Sequence, residues 1–364
     1  MNINYIYGKQ RTDMIKKFTK LTFLVLFSAT TFAQTAPPAT GTTGQNPQRA
    51  RRGGQMGYTV TVVNDTKVNV DTAAVNAAFK SVYPPFAGAD GYRTARQVTM
   101  RVIDTAKNFT LSAKPGAFVV NSKWIKDKKN AAQFQYHLQE ALHKNWASVD
   151  TIKKDGFQLV FINKNSDFVP SIKAELIDTY FKSYPQLVAM FNEKAPHEVV
   201  FVTDTAYTGV AEASGNRILF STKYMKSHPT DIDVVTHEGM HLVQGYGYGS
   251  GPVWLTEGIA DFIRYKFGVD NIGSKWTMPE LSRLSADQLK QKYKNSYRIT
   301  ARFFEWIDQK VKPGMIIQLD KELRNHTYTD ATWAALSGKT IDELWDDYAK
   351  NPEITIKYSG KERP

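Results

Sequence analysis

The run Thr236-His237-Glu238-Gly239-Met240-His241 places two imidazoles four positions apart with a carboxylate between them. On a helix, positions i and i+4 project from one face a turn apart, so both rings can ligate one metal ion. Glu238 then stands beside the ion without ligating it, within reach of a water to be activated. This is the chemistry of metal-assisted hydrolysis, with Zn2+ as the ion and Glu238 as the general base. Glu257 is the candidate third ligand, separated from His241 by 15 residues that include Gly245, Gly247, Gly249 and Gly251. Such a glycine-rich reversal lets a second helix lie back against the first. Asp261, four residues after Glu257 and on the same face, is placed to accept the free N–H of a ligand histidine. An ordinary solvated helix face is the competing reading for both acids, and their setting among Leu255, Ile259, Phe262 and Ile263 argues against it.

Two other layouts fail on residue type. A site with Gly at 244 and a third His at 247 is excluded, because the chain has Gln244 and Gly247. A phosphate loop at 245–251 would have to follow a strand and end in Lys-Ser or Lys-Thr, and it does neither. The chain has no cysteine, which removes disulfide scaffolds, Cys-ligated zinc, iron–sulfur clusters and thiol nucleophiles.

The elements that must position these residues can be read from caps and periodicity. Thr230 followed by Asp233, with Asp231 in a first turn, predicts a helix from about Asp231 to Gln244. Pro252 opens the second helix and Gly268 closes it. A strand pair around Gly209–Ala213 and Ile218–Ser221 precedes the metal helix and is expected to hold an extended peptide by edge pairing. Upstream, Tyr58–Val63, Val98–Ile103 and Phe118–Val120 read as strands, and Val70–Ser81 and Ala131–Trp146 as helices. A second block repeats this order. Val102-Ile103-Asp104-Thr105-Ala106 returns as Val202-Thr203-Asp204-Thr205-Ala206, and His137 returns as His237, at an offset of 100. The expectation is an ancient duplication, with chance likeness of two α+β segments as the competing account. In the first copy Leu138 and Ala141 stand where Glu238 and His241 stand in the second, so that copy is expected to be non-catalytic.

Four separated motifs carry a family resemblance. These are His237-Glu238-Gly239-Met240-His241-Leu242-Val243-Gln244, the run Leu255–Arg264, Tyr297-Arg298-Ile299-Thr300-Ala301-Arg302-Phe303-Phe304, and Gly338-Lys339-Thr340-Ile341-Asp342-Glu343-Leu344-Trp345. Over about 155–350 the chain resembles the basic secretory protein family, zinc peptidases of plants and bacteria with a gluzincin-like arrangement. The resemblance implies a zincin fold, peptide-bond hydrolysis, His237, His241 and Glu257 as zinc ligands, and Glu238 as base. Within the third motif, Tyr297 or Arg302 could supply a donor to the tetrahedral oxyanion, with a structural role as the alternative for both. Gly239-Met240 and the extra copy at 57–150 depart from the family pattern without touching a ligand.

Length and charge complete the expected organisation. The 364 residues, 42% of them hydrophobic, suffice for two compact domains. Lys16, Lys17 and Lys20 precede an apolar run from Leu21 to Phe27 and the small residues Thr31 and Ala33, a secretory signal over 1–33. That run is too short for a membrane anchor, which needs about 20 apolar residues. Residues 34–56 read as a flexible linker. The net charge of +12 falls to +8 without the signal and to +5 without Arg49, Arg51 and Arg52, which removes nucleic acid as a partner. The expected class is therefore α+β, with an N-terminal α+β domain over 57–150 and a zincin-like domain over 151–364. The expected function is a secreted zinc metallopeptidase acting on peptide or protein substrates in the periplasm or medium. A secreted, non-catalytic zinc-containing binding protein is the alternative. Cleavage preference and oligomeric state stay open.

Overall fold

The computed structural model describes residues 58–90, 95–107, 109–111, 116–144 and 146–361. The expected signal and linker lie outside the described residues.

The described residues build two sheets in a mixed α/β architecture. The first comes from β1 (Thr59–Asn64), α1 (Thr72–Asp90), β2 (Gln97–Ile103), β3 (Phe109–Leu111) and β4 (Ala117–Asn121), followed by α2 (Ser122–Lys126), α3 (Lys128–Ala132) and α4 (Phe134–His143). Its strand order is β1-β2-β4-β3, with β1, β2 and β4 parallel and β3 antiparallel at the edge. The second comes from β5 (Ser148–Lys154), β6 (Phe157–Asn163), α5 (Pro170–Phe191), β7 (Glu198–Asp204), β8 (Ala211–Ser214) and β9 (Arg217–Ser221), then α6 (Thr222–Ser227) and α7 (Val234–Gln244). Its order is β5-β6-β7-β9-β8, with β6, β7 and β9 parallel and β8 antiparallel at the edge. With β5 set aside, the two units have the same strand order, the same directions and the same helix after the first strand. The pairs β4 and β9, α2 and α6, and α4 and α7 each begin 100 residues apart. Since β5 starts at Ser148, the second sheet begins just before the expected boundary at 150.

Helices complete the chain: α8 (Val253–Phe267), α9 (Ala286–Gln291), α10 (Tyr297–Lys310), α11 (Met315–Arg324), α12 (Ala331–Ser337) and α13 (Ile341–Lys350). Leu159, Phe161, Phe201, Ile218 and Phe220 alternate along their strands onto the face that packs with the helices, where Tyr180, Tyr184, Met240, Ile259, Phe262 and Phe304 join one core. Val75, Phe79, Tyr83, Val98, Met100, Phe118 and Leu138 form a separate core in the first unit. Among the described residues, no helix is long and apolar enough to cross a membrane.

Local details depart from expectation. α1 extends to Asp90 through Pro84 and Pro85, because its apolar face runs across them from Val82 and Tyr83 to Ala87, all buried. The helix expected over Ala131–Trp146 is broken at Gln133, which caps the end of α3 before α4 starts. α7 begins at Val234, and Asp233 makes no side-chain cap. Its carboxylate instead accepts from Val269 N (2.6 Å), Asp270 N (3.0 Å) and Asn271 Nδ2 (2.9 Å), just past the end of α8. Asp231 pairs with Arg264 and accepts from the Tyr224 hydroxyl at 2.7 Å. The acids read as helix-capping groups thus fasten the start of one helix to the end of another.

Candidate metal centre

Three acceptors converge between α7 and α8. His237 Nε2 and His241 Nε2 lie 3.2 Å apart, and Glu257 Oε2 lies 3.3 Å from the first and 3.4 Å from the second. A tetrahedral zinc with bonds of about 2.05 Å spaces its ligands roughly 3.3 Å apart, so the triangle has the size such an ion requires. Among the described residues this is the one group of three His or acidic side chains with metal-site spacing.

The outer ring nitrogens fix the chemistry of the inner ones. His237 Nδ1 is 2.7 Å from Asp261 Oδ1, and His241 Nδ1 is 2.7 Å from Gln244 Oε1. The Gln244 amide is oriented by its own Nε2, which donates to Thr256 O at 3.0 Å. Each imidazole therefore carries its proton on Nδ1 and aims the Nε2 lone pair inward. Two lone pairs and a carboxylate oxygen facing one point repel each other unless a cation or a proton sits among them. The donor set thus fits a divalent zinc.

Without a metal, a second proton meets that demand for a cation. Burial alone would lower the His237 pKa, but the Asp261 and Glu257 carboxylates outweigh it and carry it up to about 10. Burial opposes ionisation of Glu257, yet the two imidazoles hold that carboxyl far below the ordinary range. Glu238, also buried, is pushed up by desolvation against the pull of both histidines, with Glu257 and Glu212 adding to the rise. A buried carboxylate with a raised pKa beside three converging ligands suits proton uptake and return.

The backbone places these groups with little freedom. Gly239 allows the close approach of α5, since a Cβ there would lie 3.2 Å from the Tyr184 ring. Gly258 allows the approach of α10 to α8, where a Cβ would meet Thr300 Cγ2 at 2.4 Å. Gly245 ends α7 in the left-handed region (φ 53°), which glycine adopts without strain. Pro252 stands just before α8 and Gly268 just after it, as expected.

Tyr297 and Arg302 part company. The Tyr297 ring stacks at 6.1 Å from His237 and is half exposed, and burial of its hydroxyl together with Glu257, Asp261 and Glu238 pushes its pKa up to about 12. It remains a neutral phenol, able to donate. Ser296 and Tyr297 both have positive φ (66° and 49°), a strained entry to α10 that sets the ring beside His237. Arg302 is not brought to the site. It is buried on α10 and its charge acts on Tyr348 of α13, so it belongs to the packing of α10 against α13. Gln244 is the residue that sequence reasoning missed, and its spacing three after His241 was the available signal.

A family model described as peptidases of plants and bacteria matches residues 157–348. No curated protein matches the chain in sequence. Among solved structures, Legionella pneumophila aminopeptidase A in complex with aspartic acid is 18% identical at a TM-score of 0.33, covering 54% of this chain and 27% of that one. An aminopeptidase N family protein from Idiomarina loihiensis is 12% identical at a TM-score of 0.37, covering 58% and 47% respectively. The chain thus spans less than half the length of either structure.

Proposed function

The chain belongs to the basic secretory protein family, the peptidases of plants and bacteria, and on that premise we propose that it is a zinc-dependent peptidase with a zincin-type site. The observation that carries the proposal is the convergence of His237 Nε2, His241 Nε2 and Glu257 Oε2 within 3.4 Å, with Glu238 buried alongside. Zinc held by those three side chains supplies Lewis acidity and brings the pKa of an attacking water toward neutrality. Glu238 takes the proton from that water and returns it to the leaving amine. Asp261 and Gln244 keep the ligand tautomers correct. Tyr297, a neutral phenol beside His237, is the donor for the developing oxyanion. The open edge of β8 pairs with an extended substrate.

The first unit is a degenerate, non-catalytic copy of the front half of the peptidase unit. Its matching topology and the constant offset of 100 support this, as do Leu138 and Ala141 at the positions of Glu238 and His241. Its histidines pack on aromatics, His137 on Trp124 at 5.1 Å and His143 on Trp146 at 4.4 Å. Export through the 1–33 signal places the enzyme in the periplasm or the medium.

The test is zinc content together with chelator-sensitive cleavage of a mixed peptide library. Glu238→Gln is expected to keep zinc while losing about 10²–10⁴ in kcat. Bound zinc with no cleavage by the native chain would favour a non-catalytic binding protein, and full activity in Glu238→Gln would refute the mechanism.

A further inference from the structure

The proposed peptidase reading leaves one pocket unused, at the head of the edge strand. A cavity of about 400 Å³ lies between Thr208, Gly209 and Val210 on one side and Lys223 and Tyr224 on the other. Val210 immediately precedes β8, and its carbonyl accepts from Ser221 N at 3.0 Å, so the pairing of β8 with β9 runs up to the cavity wall. β8, which carries Glu212, packs against α7, the helix that carries His237, Glu238 and His241. The reacting carbonyl therefore sits near the middle of that strand. A substrate paired with the open edge in the more stable antiparallel sense runs opposite to β8. Its residues after the scissile bond then head from Glu212 toward Val210 and Gly209. At about 3.4 Å per residue, the cavity is reached two to three residues on.

The mouth of this cavity is cationic. Lys223 is exposed and, among the described residues, forms no ion pair. Arg298 is also exposed, follows Tyr297 directly, and lies close enough to Tyr224 for its charge to act on that hydroxyl. The nearby acid, Asp231, is already engaged by Arg264 and by the Tyr224 hydroxyl. Lys226, on the same short helix as Lys223, is neutralised by Asp167 at 2.7 Å. Two positive charges thus remain uncompensated where the leaving side of a substrate would emerge. Unpaired positive charges of this kind favour a carboxylate.

We propose that this pocket is a subsite for a carboxylate two to three residues beyond the scissile bond, with Lys223 as its principal contact and Arg298 as the second charge. The carboxylate can be the chain end of a short peptide or an acidic side chain, and the test separates the two.

The probes are N-terminally labelled hexapeptides of one neutral sequence in three forms: free acid, C-terminal amide, and amide with Asp near the C-terminus. Their Kd values are measured on zinc-loaded Glu238→Gln, so that binding is read without turnover. The charged peptides are expected to bind about tenfold tighter than the neutral amide, with the margin shrinking at high salt. Adding Lys223→Gln should cut the margin to threefold or less, and adding Arg298→Gln should abolish it, while the amide's own Kd stays constant. Preference for the free acid alone identifies the chain end, and equal preference for the Asp peptide admits the side chain. Equal Kd values for all three forms, no binding of any form, or a margin that survives both substitutions overturns the subsite. Cleavage by the native chain is scored separately, so loss of the subsite and loss of the peptidase reading are distinguishable.

Discussion

The two imidazoles of the site are backed by different acceptors, a carboxylate at Asp261 and an amide oxygen at Gln244. An amide can hold the Nδ1 proton only while its oxygen points at the ring, and donation from Gln244 Nε2 to Thr256 O enforces that orientation. Thr256 precedes Glu257, so the turn that supplies the third ligand also orients the second. Gln244→Leu leaves the His241 N–H buried without an acceptor and frees the ring to turn. Zinc affinity, read by competition with a chromogenic chelator, is expected to fall 10–100-fold. An unchanged affinity would show that α7 alone fixes the ring. The His-Glu-x-x-His pair was legible in the sequence because its geometry is internal to one helix. Gln244 was visible only as a mismatch to another layout, since its task depends on a carbonyl across the glycine-rich loop.

Among the elements, α8 and α10 meet at a small residue, Gly258. Gly258 lies on α8 between Glu257 and the buried Ile259, and faces Thr300 and Phe304 of α10, both fully buried. A methyl group there would lie 2.4 Å from Thr300 Cγ2 and 3.0 Å from Phe304 Cε2, with no flexible chain end to move aside. Gly258→Ala gains helix propensity worth roughly 1 kcal/mol, but the overlap forces α8 and α10 apart at a cost of about 1–3 kcal/mol. The net expectation is a lower Tm and, because Glu257 is the neighbouring residue, weaker zinc binding as well. A rise in Tm with unchanged zinc affinity would overturn this account. The bounds of α8 were legible from Pro252 and Gly268, but the helix that packs on Gly258 was not. The start of α7 was misplaced for a related reason. Asp233 resembles a capping residue locally, yet its acceptor oxygens serve groups at 269–271, and sequence spacing carries no trace of so distant a match. Arg302 was read from its neighbourhood to Tyr297 in sequence, whereas the helix turns it toward Tyr348.

At the scale of the whole molecule, the first unit touches the peptidase unit through a residue paired with the edge strand β8. Arg217 is buried at the start of β9, donates from Nη1 to Gly88 O at the end of α1 (3.1 Å), and pairs through Nη2 with Glu212 on β8 (3.3 Å). The end of α1 in the first unit is thereby tied to the edge strand β8 of the second. Glu212 in turn adds to the field that raises Glu238. Replacing Arg217 by Met keeps much of the buried stem but strands the Gly88 carbonyl and the Glu212 carboxylate. Leaving such groups without their partner costs about 1–3 kcal/mol, enough to lower Tm by several degrees. The edge strand also loses its brace, so KM for peptides is expected to rise by about three- to tenfold. Zinc affinity should hold, because no ligand or ligand-orienting residue touches Arg217. A structural copy that merely adds mass would give a different result, with lower Tm and unaltered KM. A rise in KM at constant zinc affinity therefore separates a first unit that steadies the substrate edge from one that only enlarges the protein.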